Sequence, residues 1–169
     1  MSVLDSIIEG VREDLAARRM PLSKLHELLD AAPAPIAPVF PFNNLSVIAE
    51  VKRKSPSKGK LAEIPDPAKL ASLYQQAGAA AVSVLTEQRR FNGSLADFDA
   101  VRNEISLPML RKDFMVDEYQ FYEARAHGAD LVLLIVAALS KSQLSDYYAL
   151  ATELGMKSLI EVHTNDELE

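Results

Sequence analysis

The 169-residue sequence contains no cysteine and only six glycines. Without cysteine it can form no disulfide, zinc–thiolate site, iron–sulfur cluster or thiol nucleophile. It has no apolar run close to the ~18 residues of a membrane helix, and the acids spread through its first 20 residues do not fit a secretory signal. The net charge of −6 disfavours nucleic-acid binding through the overall field. These absences predict a cytoplasmic globular protein without a nucleic-acid or membrane partner.

The chain has the size and composition of one folded domain. Hydrophobic residues make up 49% of it and charged residues 25%, which are ordinary globular values. A domain of this length buries roughly 68–70% of its unfolded surface, so its core needs no disulfide or metal to stabilise it.

An N-terminal extension is predicted over residues 1–45. Apolar residues recur at helical spacing in 3–15, and a second short helix is predicted at 22–31. Residues 31–42 contain four prolines. Because proline fixes φ and lacks an amide donor, this stretch is predicted to be an extended connector. The second unit is predicted to be a partial barrel over 46–169.

Strands and helices alternate strictly after residue 46, which indicates βαβ units and a parallel sheet. No G-x-G-x-x-G follows any strand, so a dinucleotide site has no support. The predicted strands are 46–52, 80–85, 108–114, 130–137 and 157–162, and the helices between them are 66–78, 94–105, 117–128 and 140–155.

Two α/β architectures fit this alternation: an open doubly wound sheet, or part of a (β/α)8 TIM barrel. A complete barrel takes about 250 residues. Five predicted strands, followed by the start of a sixth unit at residues 164–169, fit an incomplete barrel. We therefore expect an incomplete (β/α)8 barrel with an extra N-terminal helical segment, and an ending that looks like a truncation.

Charged residues interrupt the first, third and fifth predicted strands, where a parallel sheet usually has continuous apolar runs. Glu50 and Lys52 share parity and point to one side. Alternate strands of a barrel supply the same layer, so these two residues, Lys112 and Glu161 can meet in one mouth as an acid–base set. The simpler alternative is a solvated charge at each strand end. Arg111 has the opposite parity to Lys112 and is predicted to face outward in a structural ion pair.

A basic segment follows the first strand, with five cations in residues 52–60. Three interpretations stay open: a loop that closes over an anionic substrate, a nucleic-acid or nuclear-localisation patch, and a solvated loop. The three histidines lack metal-ligand spacing, so no metal site is predicted. His163, two residues after Glu161, is a further candidate for a proton shuttle.

Several blocks of the sequence resemble one family. Residues 47–59, VIAEVKRKSPSKG, closely resemble the signature of indole-3-glycerol-phosphate synthases. SVLTE (83–87), FNGS (91–94), LRKDF (110–114) and LIEV (159–162) match further blocks in order. The resemblance implies a (β/α)8 carboxy-lyase of tryptophan biosynthesis that uses no cofactor or metal. Its anionic, phosphorylated small-molecule substrate is 1-(2-carboxyphenylamino)-1-deoxyribulose 5-phosphate, which cyclises with loss of carbon dioxide and water.

The resemblance also implies roles for the charged residues. Lys112 is the general acid that protonates the ketone oxygen of the substrate. Glu161 is its partner in the dehydration, with the direction of each proton transfer left open. Lys52 holds the anthranilate carboxylate and shares the proton work, and Glu50 orients these groups and the hydroxyls. The residues implied to line the pocket around the aromatic ring are Ser55, Phe91, Phe114 and Leu133.

The sequence also departs from the family pattern. The family carries an asparagine on its sixth strand, a glutamate and a serine on its seventh, and a glycine-rich phosphate clamp on the last two. Because these blocks are absent, we expect the isolated chain to be weakly active or inactive and to self-associate through its open edge. The alternative functions are a non-catalytic half-barrel that binds a phosphorylated ligand or a protein, and a phosphate-binding barrel isomerase.

Overall fold

The computed structural model describes residues 2–41 and 43–168. Three residues lie outside the described ranges: Met1, Phe42 at the end of the proline-rich stretch, and Glu169. The helices are α1 (Val3–Arg18), α2 (Leu22–Ala31), α3 (Pro67–Gln76), α4 (Leu95–Glu104), α5 (Tyr119–Ala126) and α6 (Lys141–Glu153), with short 3-10 helices at Val136–Ala138 and Asn165–Leu168. The strands are β1 (Ile48–Val51), β2 (Lys54–Ser55), β3 (Gly59–Lys60), β4 (Ala81–Leu85), β5 (Met109–Lys112), β6 (Leu131–Ile135) and β7 (Lys157–Glu161).

Five of these strands form a parallel sheet in the order β1-β4-β5-β6-β7, which is their order along the chain. A doubly wound sheet reverses its order at a switch point, whereas a barrel adds each strand beside its predecessor. The observed order therefore decides between the two alternatives. The sheet consists of five consecutive strands of a (β/α)8 barrel. The antiparallel hairpin of β2 and β3 lies within the basic segment and was not predicted.

The helix ends follow from local sequence. The Asp66 carboxylate accepts the Lys69 amide at 2.9 Å, and Pro67 occupies the first position of α3, where no amide donor is needed. Gly78, Gly128 and Gly155 end α3, α5 and α6 with φ of +85°, +82° and +77°. Side chains disfavour that conformation, so glycine there sets where each helix turns back into the next strand.

The core has two layers because successive strand residues point to opposite sides of the sheet. On β6, Val132 and Leu134 pack into the larger cluster between the sheet and the helices, together with Phe98 and Phe121. Leu133 instead joins the smaller cluster inside the sheet's curve. Because the helices of the larger cluster cover only the outer side of the sheet, the inner side has room for a site at the carboxyl ends of the strands.

The N-terminal extension packs against α5 and the segment that follows β5. Ile7 and Val11 of α1 contact Val116, and Leu25 of α2 packs against Tyr119. The connector after α2 forms neither helix nor strand in its described residues, as predicted. None of the helices in 2–41 and 43–168 has the length and apolarity needed to cross a membrane. The division of the chain at residue 45 stays a prediction.

A group of charges, buried except for Arg18, joins α1, β5 and α5, and we call it the β5 ion cluster. It consists of Arg18, Arg111, Asp113 and Glu123. Arg111 is fully buried and its Nη2 lies 3.0 Å from Asp113 Oδ2 and 2.9 Å from Glu123 Oε2. Arg18 Nε donates to the other oxygen of Glu123 at 2.9 Å. The outward-facing ion pair predicted for Arg111 is thus present, on the side of β5 opposite to Lys112.

The strands β1 and β7 are the two edges of the sheet within the described part of the chain. Ile160 on β7 is 47% exposed. Because an uncovered edge offers unpaired backbone groups beside apolar side chains, we predict concentration-dependent self-association in sedimentation velocity. Ile160→Lys should reduce it, and Leu73→Lys, at an equally exposed site on α3, should not. A monomer at every concentration, or equal effects of both substitutions, would contradict association through this edge.

Candidate active site

A cavity of about 530 Å³ opens where the parallel strands end. Its charged lining comes from β1, β5 and β7 and the residues that follow these strands. Its apolar lining comes from β4, β6, the segments after them, α1, and Phe114 after β5. The lining residues are Val3, Leu4, Ile7, Glu50, Lys52, Leu85, Phe91, Lys112, Asp113, Phe114, Leu133, Ile135, Ala137, Glu161 and His163.

Four of these side chains form a row of alternating charge, and His163 lies at its end; we call these five residues the charge row. Lys52 pairs with Glu50, whose Oε2 lies 3.3 Å from Lys112 Nζ. Lys112 Nζ lies 4.0 Å from Glu161 Oε2, and Glu161 Oε1 lies 3.3 Å from His163 Nε2. The row therefore places the Lys112 ammonium between two carboxylates, an arrangement that keeps a proton donor and two acceptors within reach of one bound molecule.

The alternation of strands in the barrel builds this row. Between β1 and β5 lies β4, where Leu85 is in register with Lys112, and between β5 and β7 lies β6, where Ile135 is in register with Glu161. The long Lys112 side chain reaches across β4 to Glu50. Charged strands thus alternate with apolar ones around the mouth, and the predicted convergence of Glu50, Lys52, Lys112 and Glu161 is observed.

The ionisation of Glu50 reflects its position in the row. Burial acts to raise its pKa, but hydrogen bonds and charge from Lys52 and Lys112 outweigh burial and hold the pKa below its ordinary value. Glu50 is therefore a carboxylate at neutral pH, and the attraction between it and the two lysines keeps all three side chains in the mouth.

An aromatic wall stands beside the charge row. The rings of Phe91 and Phe114 lie 6.1 Å apart between centroids, and both line the cavity with Leu133. Contact of these three residues with a substrate ring stays a prediction. Ser55 does not line the cavity; its hydroxyl accepts the Lys58 amide at 3.3 Å in the β2–β3 hairpin. A role for Ser55 in substrate binding stays a prediction.

The N-terminal helix lines the cavity as well, which the sequence did not reveal. Val3, Leu4 and Ile7 of α1 form part of its wall. The apolar periodicity of residues 3–15 predicts a helix with one apolar face, but it does not predict which part of the fold that face covers. Among the described residues, no group of three or more histidine or acidic side chains could hold a metal ion.

Most cations of the basic segment are paired within the chain. Lys52 pairs with Glu50, and the Arg53 guanidinium pairs with Asp97 while its Nε donates to the Ile64 carbonyl at 3.2 Å. Lys60 pairs with Glu63 at the surface. Because three of its five cations are neutralised by nearby acids, the segment exerts a weaker field on a nucleic acid than its composition suggests.

Comparison with known proteins identifies the family of the chain. The family model described as "Indole-3-glycerol phosphate synthase" matches residues 4–169. The chain belongs to the indole-3-glycerol phosphate synthase family. It is 60% identical over 178 residues to a protein of that name from Paenarthrobacter aurescens (strain TC1), and 58% identical over 178 residues to one from Micrococcus luteus. Each alignment covers 100% of this chain, but only 65% and 66% of those relatives.

Proposed function

We propose that this chain provides the ring-binding and acid–base part of an indole-3-glycerol-phosphate synthase site. The observation that carries this proposal is the charge row beside the aromatic wall, with Lys112 between two carboxylates. The proposed reaction is a step of tryptophan biosynthesis, catalysed by a carbon–carbon lyase of the carboxy-lyase class. Its substrate, 1-(2-carboxyphenylamino)-1-deoxyribulose 5-phosphate, carries a phosphate and does not cross membranes unaided, so we place the reaction in the cytoplasm.

Substrate binding follows from the two halves of the cavity. The benzoate ring of the substrate lies against Phe91, Phe114 and Leu133, where it exchanges water contacts for apolar ones. The ring carboxylate is held by the Lys52 ammonium as a point charge. Glu50 holds Lys52 in place and accepts hydrogen bonds from the ribulose hydroxyls.

The proton steps belong to Lys112 and Glu161. When the ring carbon attacks the ketone carbon, negative charge develops on the ketone oxygen, and the Lys112 ammonium gives that oxygen a proton. The new carbon–carbon bond is followed by loss of the ring carboxylate as carbon dioxide, which restores the aromatic ring. Glu161, 4.0 Å from Lys112, is the partner that moves protons when the hydroxyl leaves as water.

The test uses this chain with and without the part of the Paenarthrobacter aurescens relative that it does not span. Formation of indole-3-glycerol phosphate is followed by fluorescence. We expect turnover in the mixture and little or none by the chain alone, because the chain spans about 65% of that relative. If a demonstrably folded chain gives no turnover in either assay but binds phosphorylated ligands, a non-catalytic binding half-barrel replaces the proposal.

A further inference from the structure

The loop between β4 and α4 is organised around an acid that the proposed chemistry does not use. Glu87 is 3% exposed, and its carboxylate accepts three consecutive backbone amides. Oε1 accepts the Arg89 amide at 3.1 Å, and Oε2 accepts the amides of Arg90 at 2.7 Å and Phe91 at 2.9 Å. Because three consecutive amides bond to one buried side chain, Glu87 fixes the loop backbone up to Phe91.

The residues after Phe91 hold the loop tightly to the end of β4. The Gly93 amide donates to the Glu87 carbonyl at 2.9 Å, and Asn92 adopts a φ of +56°. A Cβ on Gly93 would lie 2.1 Å from the Leu85 carbonyl oxygen, so no side chain fits there without moving the backbone. The backbone amides from Arg89 to Phe91 and the Gly93 amide are therefore all bonded to Glu87, two residues after the end of β4.

Side chains of the loop point in two directions. Arg89 reaches outward to α1, where it lies 2.7 Å from Glu13 Oε2 and 2.6 Å from Asp14 Oδ1. Phe91 points instead into the cavity, opposite Phe114. The path of the backbone between these residues decides which side chain faces the cavity, and Glu87 is bonded to that part of the backbone.

We propose that Glu87 is a positioning residue that sets the aromatic wall: its buried carboxylate bonds the backbone that carries Phe91 and so holds that ring opposite Phe114. The role of this wall in ring binding rests on the proposed function, but the placement of Phe91 by Glu87 does not. A glutamine at this position has one acceptor oxygen, and its NH2 group faces backbone donors that it cannot satisfy. Because one oxygen of Glu87 accepts two of the three amides, a glutamine keeps at most two of these bonds. Glu87→Gln therefore sets an NH2 group against at least one backbone donor with little change in volume.

A double-mutant cycle separates positioning from general destabilisation. The wild-type chain, Glu87→Gln, Phe91→Ala and the double variant are titrated with 2-aminobenzoate, whose own fluorescence reports binding. We expect each single substitution to weaken binding about tenfold, and Glu87→Gln to change it less than about twofold in the Phe91→Ala background. Equal weakening in both backgrounds would overturn the proposal. Glu104→Gln, at an exposed site on α4, is the matched control and should leave binding unchanged.

A ligand-free measurement decides the proposal even if 2-aminobenzoate does not bind, an outcome that would count against the proposed function alone. In the wild-type chain, NMR should show nuclear Overhauser contacts between the rings of Phe91 and Phe114. Glu87→Gln should weaken these contacts while the amides of α4 keep their chemical shifts. Unchanged ring contacts would overturn the proposal. If Glu87→Gln fails to fold, as judged by circular dichroism, Glu87→Asp gives the same test with a carboxylate too short to reach all three amides.

Discussion

Glu123→Gln is expected to lower the free energy of unfolding by about 3 kcal/mol, the lower end of the range for breaking a buried ion pair. Arg111, the partner of Glu123, is fully buried, and the side chain of Glu123 is 3% exposed. Removing the negative charge leaves the β5 ion cluster with two cations and one carboxylate, Asp113. That remaining carboxylate is the reason to expect the lower end of the range. Urea denaturation at neutral pH measures the loss.

The pH dependence of this loss provides a second check. Burial acts to raise the pKa of Glu123, but the hydrogen bond from Arg18 and the charge of Arg111 outweigh it and hold the pKa below its ordinary value. A lowered carboxyl pKa stabilises the fold at pH values above the unfolded-state pKa, and this contribution disappears as the pH falls through the folded-state value. The stability difference between the wild-type chain and Glu123→Gln should therefore be constant near neutrality and shrink in acid.

The control is an ion pair of the same chain at its surface. Lys60 and Glu63 are 69% and 81% exposed, and surface pairs contribute little because water and salt screen them. Glu63→Gln should leave the unfolding free energy nearly unchanged at every pH. An equally small effect of Glu123→Gln would mean that the β5 ion cluster does not stabilise the fold.

Features with a short sequence period could be predicted from the sequence. The alternation of strands and helices predicted the parallel sheet. The parity of residues within β5 predicted that Lys112 and Arg111 point to opposite sides, and they lie in the cavity and in the ion cluster, respectively. Parity works because a strand turns successive side chains to opposite faces wherever the strand lies in the fold. The positions of three helix ends also depend on local sequence, since each needs one residue that tolerates positive φ: Gly78, Gly128 or Gly155.

Features that depend on contacts between distant segments could not be predicted in this way. Arg18 and Glu123 are 105 positions apart, and Arg89 lies 75 positions from Asp14. No periodicity relates such residues, because their meeting depends on how α1 docks on the folded sheet and its helices. Glu87 was missed for a different reason: its three hydrogen bonds are local, but its burial follows from the packing around the loop rather than from any sequence pattern.

Lys112→Ala is expected to lower turnover in the complemented assay by about 10²–10⁴-fold, the usual contribution of a general acid. Binding of 2-aminobenzoate should change much less, because its carboxylate is assigned to Lys52 and its ring to the aromatic wall. A large loss of turnover with little change in ligand binding distinguishes a catalytic residue from a binding residue. Lys24→Ala, at an exposed site on α2, is the matched control and should change neither quantity.

The surroundings of Lys112 require a second variant, because Lys112→Ala changes more than the proton donor. Its ammonium lies 3.3 Å from Glu50 and 4.0 Å from Glu161, so alanine also removes the cation between two carboxylates. Lys112→Met fills more of the vacated space and removes the same proton, and it should lose as much turnover if proton donation is the function of Lys112. If Lys112→Met retains turnover, the acid is another member of the charge row, and Lys52 is the remaining lysine there. If both variants lose ligand binding in proportion to turnover, Lys112 holds the substrate and the assignment of the acid falls.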